Sequence, residues 1–201
     1  MPTFKLETTH HPLHVCGVDE VGRGPWAGPV VAGAVIFHTQ KAIRGVNDSK
    51  QLTREEREAL FPRIHARCHV GIGIASVEEI EQFNIWGATT LAMKRAVLAL
   101  PVQPDIALVD GKTHPRDFPC ETRTVIGGDA ISYSIAAASI IAKVTRDRIM
   151  QEHALFYPQY GFERHAGYGT PQHQQALRTH GITPLHRRSW APIRALLGEA
   201  A

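Results

Sequence analysis

Short apolar runs with strand character alternate with helices that carry explicit start signals, and together they predict an α/β fold. The architecture is a mixed β-sheet flanked by helices, followed by a helical C-terminal tail. Three observations carry this prediction. Val15–Val21 and Val30–Phe37 are apolar segments separated by a Gly/Pro-rich turn, which reads as two strands. Two capping boxes, Thr53-Arg-Glu-Glu56 and Ser76-Val-Glu-Glu79, each open a helix. A long Ala-rich segment from about Ile131 to Phe156 reads as one continuous helix.

The second strand, Val-Val-Ala-Gly-Ala-Val-Ile-Phe, is almost wholly apolar, as expected of a strand covered on both faces. A loop containing Asn47-Asp48-Ser49-Lys50 precedes the first capped helix, and Pro62 is expected to bend or shorten that helix. Cys68–Ala75 is a third strand. The helix after it carries Ile80, Phe83, Gly87, Leu91 and Leu98 at spacings that predict one sheet-facing stripe, and Pro101 and Pro104 end it. Asp105–Asp110 is a short strand ending in an acid, and Thr122–Ile126 is a candidate strand running into Gly127-Gly128-Asp129. Tyr157-Pro158 stops the long helix. Beyond Gly161, Thr170-Pro171 and Thr183-Pro184 each place a cap residue before proline, the signature of a helix start.

The chain has 201 residues, of which 43% are hydrophobic and 20% charged, a composition that suits one domain over residues 1–201 with an appended tail from about 161. A formal charge of +3 and twelve histidines permit a polyanionic partner without demanding one. Three cysteines, Cys16, Cys68 and Cys120, are scattered with no C-x-x-C spacing, which argues against a disulfide framework and a structural zinc site. The N-terminal stretch lacks the apolar centre of a signal peptide, and no run reaches the ~18 apolar residues of a membrane span. The expectation is a cytoplasmic protein with no membrane association.

Four acids share a setting. Asp19 and Glu20 close the first strand, Asp110 closes the fourth, and Asp129 follows a Gly-Gly turn. Acids at strand ends of an α/β sheet tend to gather at one edge. Packed together they repel one another, and two divalent cations would neutralise them while activating a water and stabilising a leaving oxygen. Singly, each acid could merely cap a turn, and Asp129 could cap the long helix. Asp48, Asp105 and Asp117 fit such local roles, and Asp147 fits a salt bridge on the long helix. The Gly22-Arg23-Gly24 turn directly after the first pair permits close backbone approach to a phosphate or sugar. No H-E-x-x-H zinc motif and no G-x-S-x-G nucleophile motif occurs.

The ordered set Gly17-Val-Asp-Glu-Val-Gly-Arg-Gly-Pro25, Asn47-Asp-Ser-Lys50, Val109-Asp-Gly111, Gly128-Asp129, Ala136-Ala-Ala-Ser-Ile140 with Ala142-Lys-Val-Thr-Arg-Asp147, Gly167-Tyr-Gly-Thr170 and His186-Arg-Arg-Ser-Trp190 resembles bacterial ribonuclease HII over nearly the whole chain. The resemblance implies a ribonuclease H-like fold. It also implies hydrolysis of the phosphodiester 5′ to a ribonucleotide, in RNA–DNA hybrids or within duplex DNA. The products would carry a 3′-hydroxyl and a 5′-phosphate, and the biological role would be removal of misincorporated ribonucleotides and RNA primers. Asp19, Glu20, Asp110 and Asp129 fall on the family's catalytic carboxylates, which hold Mn²⁺ or Mg²⁺. Gly22, Arg23 and Gly24 match the element that reads the ribose, and Tyr168 matches a tyrosine packed on the next deoxyribose. Lys50, Ser139, Lys143 and Arg146 match positions near the substrate backbone, and the tail matches a substrate-binding region. Where the family commonly has Lys-Gly-Asp, this chain has Gly127-Gly128-Asp129, one cation fewer. Trp26 replaces a smaller apolar residue, a packing variation. Nothing in the sequence demands a dimer, so a monomer is the expectation, and protein partners stay open. The nearest rival reading is a ribonuclease HIII-like preference for long hybrids. A binding module without activity and a metal protein unrelated to nucleic acid are the others.

Overall fold

The computed structural model describes residues 1–11, 13–112 and 114–198, so the last three residues of the expected tail lie outside it. Five strands form one sheet: β1 (Val15–Val21), β2 (Val30–Phe37), β3 (Cys68–Ala75), β4 (Ile106–Asp110) and β5 (Glu121–Val125), in the spatial order β3-β2-β1-β4-β5. β2 runs antiparallel to both β1 and β3, whereas β4 runs parallel to β1 and β5. Seven α-helices are described: α1 (Lys5–Thr9), α2 (Arg54–His65), α3 (Val77–Leu98), α4 (Tyr133–Phe156), α5 (Phe162–His165), α6 (Pro171–His180) and α7 (Ala191–Leu196). Among the described residues, no helix is long and apolar enough to cross a membrane.

The sheet is covered on both faces. On one face α3 meets Cys16, Val18, Ala32 and Ala34 through Ala88, Ala92, Met93 and Ala96. On the other, α4 lays Ala136–Ala138, Ile140 and Ile141 against Val35, with α2 packed alongside through Leu60 and Ile64. The long helices approach so closely that glycine is required beneath them. A Cβ on Gly33 would lie 2.5 Å from the Ala138 carbonyl oxygen, and one on Gly73 would lie 2.0 Å from that of Ala92. Those glycines pull α4 and α3 onto the strands and so fix the height of the sheet edge where the acids stand.

Both capping boxes form, with Thr53 and Ser76 accepting the N–H groups of Glu56 and Glu79. Pro62 neither shortens nor breaks α2: it sits in the last turn, and the helix ends only three residues on, so a single missing donor is tolerated. The expected stripe on α3 needs correction. Phe83 and Leu98 are largely exposed, and the buried face is the small-residue row Ala88, Ala92 and Ala96. The phase shifts because Asn84 leaves the helix at φ 57°, and its side-chain oxygen then caps Trp86 and Gly87 at 2.9 and 3.2 Å, restarting the helix.

The tail packs Tyr160, Phe162, Leu177 and Ile193 around Met150 and Ala154 of α4 and around Ala27. Thr170-Pro171 starts α6 as expected, with the Thr170 hydroxyl accepting from His173. Thr183-Pro184 does not start a helix. The Leu185 carbonyl accepts from Gly28 and the Arg187 N–H donates to Trp26, which draws residues 185–187 out into an extended pairing with the Gly/Pro turn. The final helix, α7, starts instead after Trp190.

Candidate active site

Alternation along a strand decides which acids can meet. On β1, Val15 faces α4 and Cys16 and Val18 face α3, so Asp19 falls on the α4 side and Glu20 on the α3 side. The parallel register sets Val18 against Val109, which brings Asp110 beside Asp19. β5 then leads through Gly127, a left-handed position at φ 64°, into a short 3₁₀ turn that carries Asp129. The Gly128 N–H donates to Asp110 Oδ1 at 2.7 Å and locks this turn to β4. Asp129 is not the cap of α4, a role that Ser132 fills.

Asp19, Asp110 and Asp129 offer carboxylate oxygens that all lie within 4.8 Å of one another. Glu20 is not part of that cluster. It opens on the α3 side into a cavity of about 320 Å³ lined also by Arg23, Trp86, Thr89, Met93 and Asp110. Asp110 thus borders both groups. The four acids taken together from the sequence are a group of three with Glu20 across the sheet edge, because neighbours on a strand point to opposite faces.

The electrostatics fit a divalent cation. Burial, then the charges of Glu20 and Asp110, push the Asp19 carboxyl well above its usual range. Burial, opposed by the Arg23 guanidinium, raises Glu20, and burial, opposed by the Gly128 N–H, raises Asp110. A site whose acids resist ionisation when packed alone is short of positive charge. All the donors are oxygen, which suits a hard ion such as Mg²⁺ or Mn²⁺ rather than zinc. Lys50 supplies part of that charge, its Nζ 2.9 Å from Asp129 Oδ2. Partial burial lowers the Lys50 pKa, but the bond to Asp129 outweighs this and leaves it raised. The cation expected to be missing at Gly127 therefore has a counterpart from the 47–50 loop.

The glycine-arginine-glycine turn is held from beneath. Gly22 has φ 96°, and a Cβ there would lie 2.3 Å from Arg146 Nε, so only glycine fits. Arg23 lies 4.0 Å over the Trp86 ring, with Nη1 3.3 Å from Glu20 Oε1. Gly24 has no such constraint, since a Cβ there would meet only Tyr168 Cε1 at 3.7 Å.

Two of the residues matched to the substrate backbone need correction. Arg146 is fully buried, and its guanidinium donates to Pro29, Ala166 and Ala27 carbonyls at 2.9, 2.9 and 3.1 Å, leaving it no phosphate to reach. Ser139 is buried and accepts the Ser49 N–H at 3.2 Å. Both sit beneath loops rather than on a surface, a distinction that helix spacing alone does not make. Lys50 and Tyr168 are exposed, and Lys143 is partly exposed and paired with Asp147 at 2.6 Å.

Sequence reasoning missed Trp86, the partner of Arg23, and the individual roles of Arg187, His173 and His186. The His186-Arg-Arg-Ser-Trp190 motif pointed to two of these without saying which way they face. Arg187 is fully buried and donates to the carbonyls of Gly28, Arg23 and Gly22. Burial, then repulsion from Arg146, pulls its pKa down to about 9, still charged at neutral pH.

His173 and His186 are buried, with their Nε2 atoms 3.0 Å apart. Burial holds both near a pKa of about 4, and the proximity of His173 lowers His186 further. A cationic acid held below its unfolded value of about 6.5 means that the unfolded chain binds more protons between those two pH values. Stability is therefore expected to be complete above pH 6.5 and to fall as pH drops towards 4. The loss is on the order of 3 kcal/mol for each imidazole and so up to about 7 kcal/mol for the pair, whose protons are taken up as one coupled unit. Urea midpoints at pH 7.0, 5.5 and 4.5, compared with those of a His173→Gln/His186→Gln variant, measure this. A wild-type slope no steeper than the variant's would remove the pair as its source.

Comparison with known proteins places these features in one family. The family model for ribonuclease HII matches residues 16–193. The chain is 53% identical over 194 residues to the ribonuclease HII of Parvibaculum lavamentivorans, covering 96% of this chain and 72% of that protein. It is 52% identical over 206 residues to that of Gluconobacter oxydans, covering 100% and 99%. Among solved structures, ribonuclease H2 from Pyrococcus horikoshii aligns with a TM-score of 0.77 at 28% identity, covering 92% of this chain and 97% of that one. The sheet order and helix placement described above are accordingly of the ribonuclease H type.

Proposed function

The chain belongs to the ribonuclease HII family, nuclease hydrolases that act on RNA–DNA hybrids, and on that premise we propose the bond it cuts and the residues that cut it. It hydrolyses the phosphodiester 5′ to a ribonucleotide, both in hybrids and at single ribonucleotides embedded in duplex DNA, leaving a 3′-hydroxyl and a 5′-phosphate. The resulting role is removal of misincorporated ribonucleotides and RNA primers. The observation that carries this reading is the convergence of Asp19, Asp110 and Asp129 beside a glycine turn whose outer face is open.

Asp19, Asp110 and Asp129 would hold one divalent cation, and Glu20 with Asp110 a second. Such ions, when bound, supply an activated water and stabilise the leaving oxygen. The chain's own residues do the rest. Arg23 is braced between Glu20 and Trp86, so its backbone is fixed for the ribose. The 2′-hydroxyl is what separates RNA from DNA there, and the missing Cβ of Gly24 lets a sugar come close. Tyr168, 43% exposed, offers its ring across from Gly24 to the following deoxyribose. Lys50 and Lys143 lie where phosphates would pass, with Ser139 and Arg146 as supports for the loops above them. The segment beyond residue 161 carries Tyr168 and serves as the substrate-binding region. The enzyme acts as a monomer in the cytoplasm.

The test is nicking of a duplex with one ribonucleotide by the purified protein. Mn²⁺ or Mg²⁺ should support cleavage, and EDTA should abolish it. Tyr168→Ala is expected to lose about tenfold in kcat/KM on that substrate, the scale of a misplaced reacting group. Metal-independent cleavage, or no cleavage with either ion, would defeat the reading. A preference for long hybrids over the single ribonucleotide would shift it towards the ribonuclease HIII type.

A further inference from the structure

Tyr168 stands on a segment with little regular structure, between a four-residue helix and the start of α6, yet one of its backbone groups is tied deep into the tail. The hydrogen bonds run in one direction. The Thr183 N–H can only donate, so His186 Nδ1 accepts it at 2.8 Å. The His186 proton therefore resides on Nε2 and is donated to His173 Nε2 at 3.0 Å. His173 in turn carries its proton on Nδ1 and donates it to the Tyr168 carbonyl at 2.9 Å. Each imidazole is neutral with a fixed tautomer, and no donor or acceptor on either ring is left over.

The same pair touches the other side of the groove. His186 forms a β-bridge with Ala27, and the Trp26 N–H donates to the Gly167 carbonyl at 2.9 Å. The turn carrying Gly22–Gly24 and the segment carrying Tyr168 are thus joined directly by the Trp26–Gly167 bond and also through this pair, by way of Ala27, His186 and His173. The groups facing it are largely uncharged. His165 stacks on His173 with ring centres 4.7 Å apart, and its own tautomer is fixed between the Gly167 N–H and the Tyr160 carbonyl. Tyr160, Phe162 and Trp26 supply the remaining rings, and His180 lies beyond Tyr160. Arg146 donates to the Ala166 carbonyl two residues before Tyr168.

We propose that His173 and His186 are positioning residues for Tyr168, a two-imidazole relay that sets where the phenol ring stands relative to Gly24. This rests on the proposed function for its catalytic consequence, but not for its structural one. A relay of this kind tolerates loss of one ring only if the donor to the Tyr168 carbonyl is kept.

The experiment compares wild type with His173→Leu, His173→Asn, His186→Leu, Tyr168→Ala and the double variant His173→Leu/Tyr168→Ala, all verified as folded by circular dichroism at the assay temperature. On the single-ribonucleotide duplex with Mn²⁺, His173→Leu should lose about tenfold in kcat/KM, His186→Leu, which keeps the His173 donor but no longer fixes its tautomer, about threefold, and His173→Asn, which keeps a donor near the Nδ1 position, should stay within about threefold. Adding His173→Leu to Tyr168→Ala should cost less than about twofold more, since a residue acting through Tyr168 has nothing further to lose. A full additional tenfold in the double variant would show a general structural role and overturn the proposal. A second readout needs no activity: with 3-fluorotyrosine incorporated, the ¹⁹F resonance assigned to Tyr168 should shift or broaden in His173→Leu and return towards wild type in His173→Asn. An unmoved resonance in His173→Leu would overturn the relay even if the enzyme nicks. If wild type fails to nick while the resonance moves as expected, the functional reading falls and the relay stands.

Discussion

Asp110→Asn and Asp129→Asn are each expected to reduce nicking by at least about 10³-fold while leaving the metal-free fold as stable as wild type or more so. The activity side follows from arithmetic. Charge stabilisation supplied through a carboxylate-held cation is worth several kcal/mol in the transition state, and each 1.36 kcal/mol is tenfold. The stability side follows from the site itself. Asn keeps the oxygen that Asp110 offers to the Gly128 N–H, so the turn carrying residue 129 stays locked to β4. Removing one negative charge relieves the crowding that, after burial, raises Asp19. Because folding raises that carboxyl, the native chain binds more protons than the unfolded one between the ordinary carboxylate pKa and the raised value. Metal-free stability should then decline as pH rises through that window, and less steeply in Asp110→Asn. Urea midpoints in EDTA between pH 4 and pH 8 measure the slope. Manganese should raise the wild-type midpoint by mass action and raise those of the Asn variants less. Variants that nick at rates within tenfold of wild type would remove Asp110 and Asp129 from the chemistry.

The strands were legible because each is a short apolar run with a marked end, and all five appear within a residue or two of the positions predicted. Both capping boxes were legible because they are local: a hydroxyl and a carboxylate three residues apart can satisfy two donors whatever the rest of the chain does. What could not be read was whatever depended on partners distant in sequence. Thr183-Pro184 has the local signature of a helix start, but the competing partners lie at residues 26–28. The stripe on α3 failed because Asn84 resets the phase, and helical periodicity presumes an unbroken helix.

The candidate site divides along the same line. Strand ends located three of its acids, and the glycine turn located the fourth. That Glu20 faces away from Asp19 was available from strand alternation alone, because adjacent residues cannot share a face. The four acids still act on one another across that edge, since after burial the Glu20 charge is the first of those that raise Asp19. By contrast, nothing in Ala142-Lys-Val-Thr-Arg-Asp147 distinguishes Lys143, which reaches the surface, from Arg146, which is sealed inside. A helix position three residues on can face either solvent or a loop folded over it, and the loop here comes from residues 22–29.

Arg187→Met is expected to destabilise the protein by roughly 3–5 kcal/mol, while Arg188→Ala, one residue away, should stay within about 0.5 kcal/mol of wild type. The two side chains are chemically identical and differ only in surroundings: Arg188 is exposed, whereas Arg187 is fully buried. Its guanidinium bonds the Arg23 carbonyl at 2.9 Å and the Gly28 carbonyl at 3.1 and 2.8 Å, and it bonds the Gly22 carbonyl as well. These carbonyls belong to a loop that turns back on itself between β1 and β2 and makes few ladder bonds of its own. Methionine fills most of the volume but leaves several buried acceptors unpaired, each worth about 1–3 kcal/mol. Lysine at 187 keeps the charge but replaces a rigid fork with three donors on one atom, so it should recover less than half of the loss. For a chain of this length, 3–5 kcal/mol corresponds to a Tm lowered by about 6–20 °C. Calorimetry on the three variants decides the matter. A Tm for Arg187→Met within about 2 °C of wild type would mean that the 22–29 turn holds its shape unaided, and that the buried arginine beneath it is not what sets the position of Arg23.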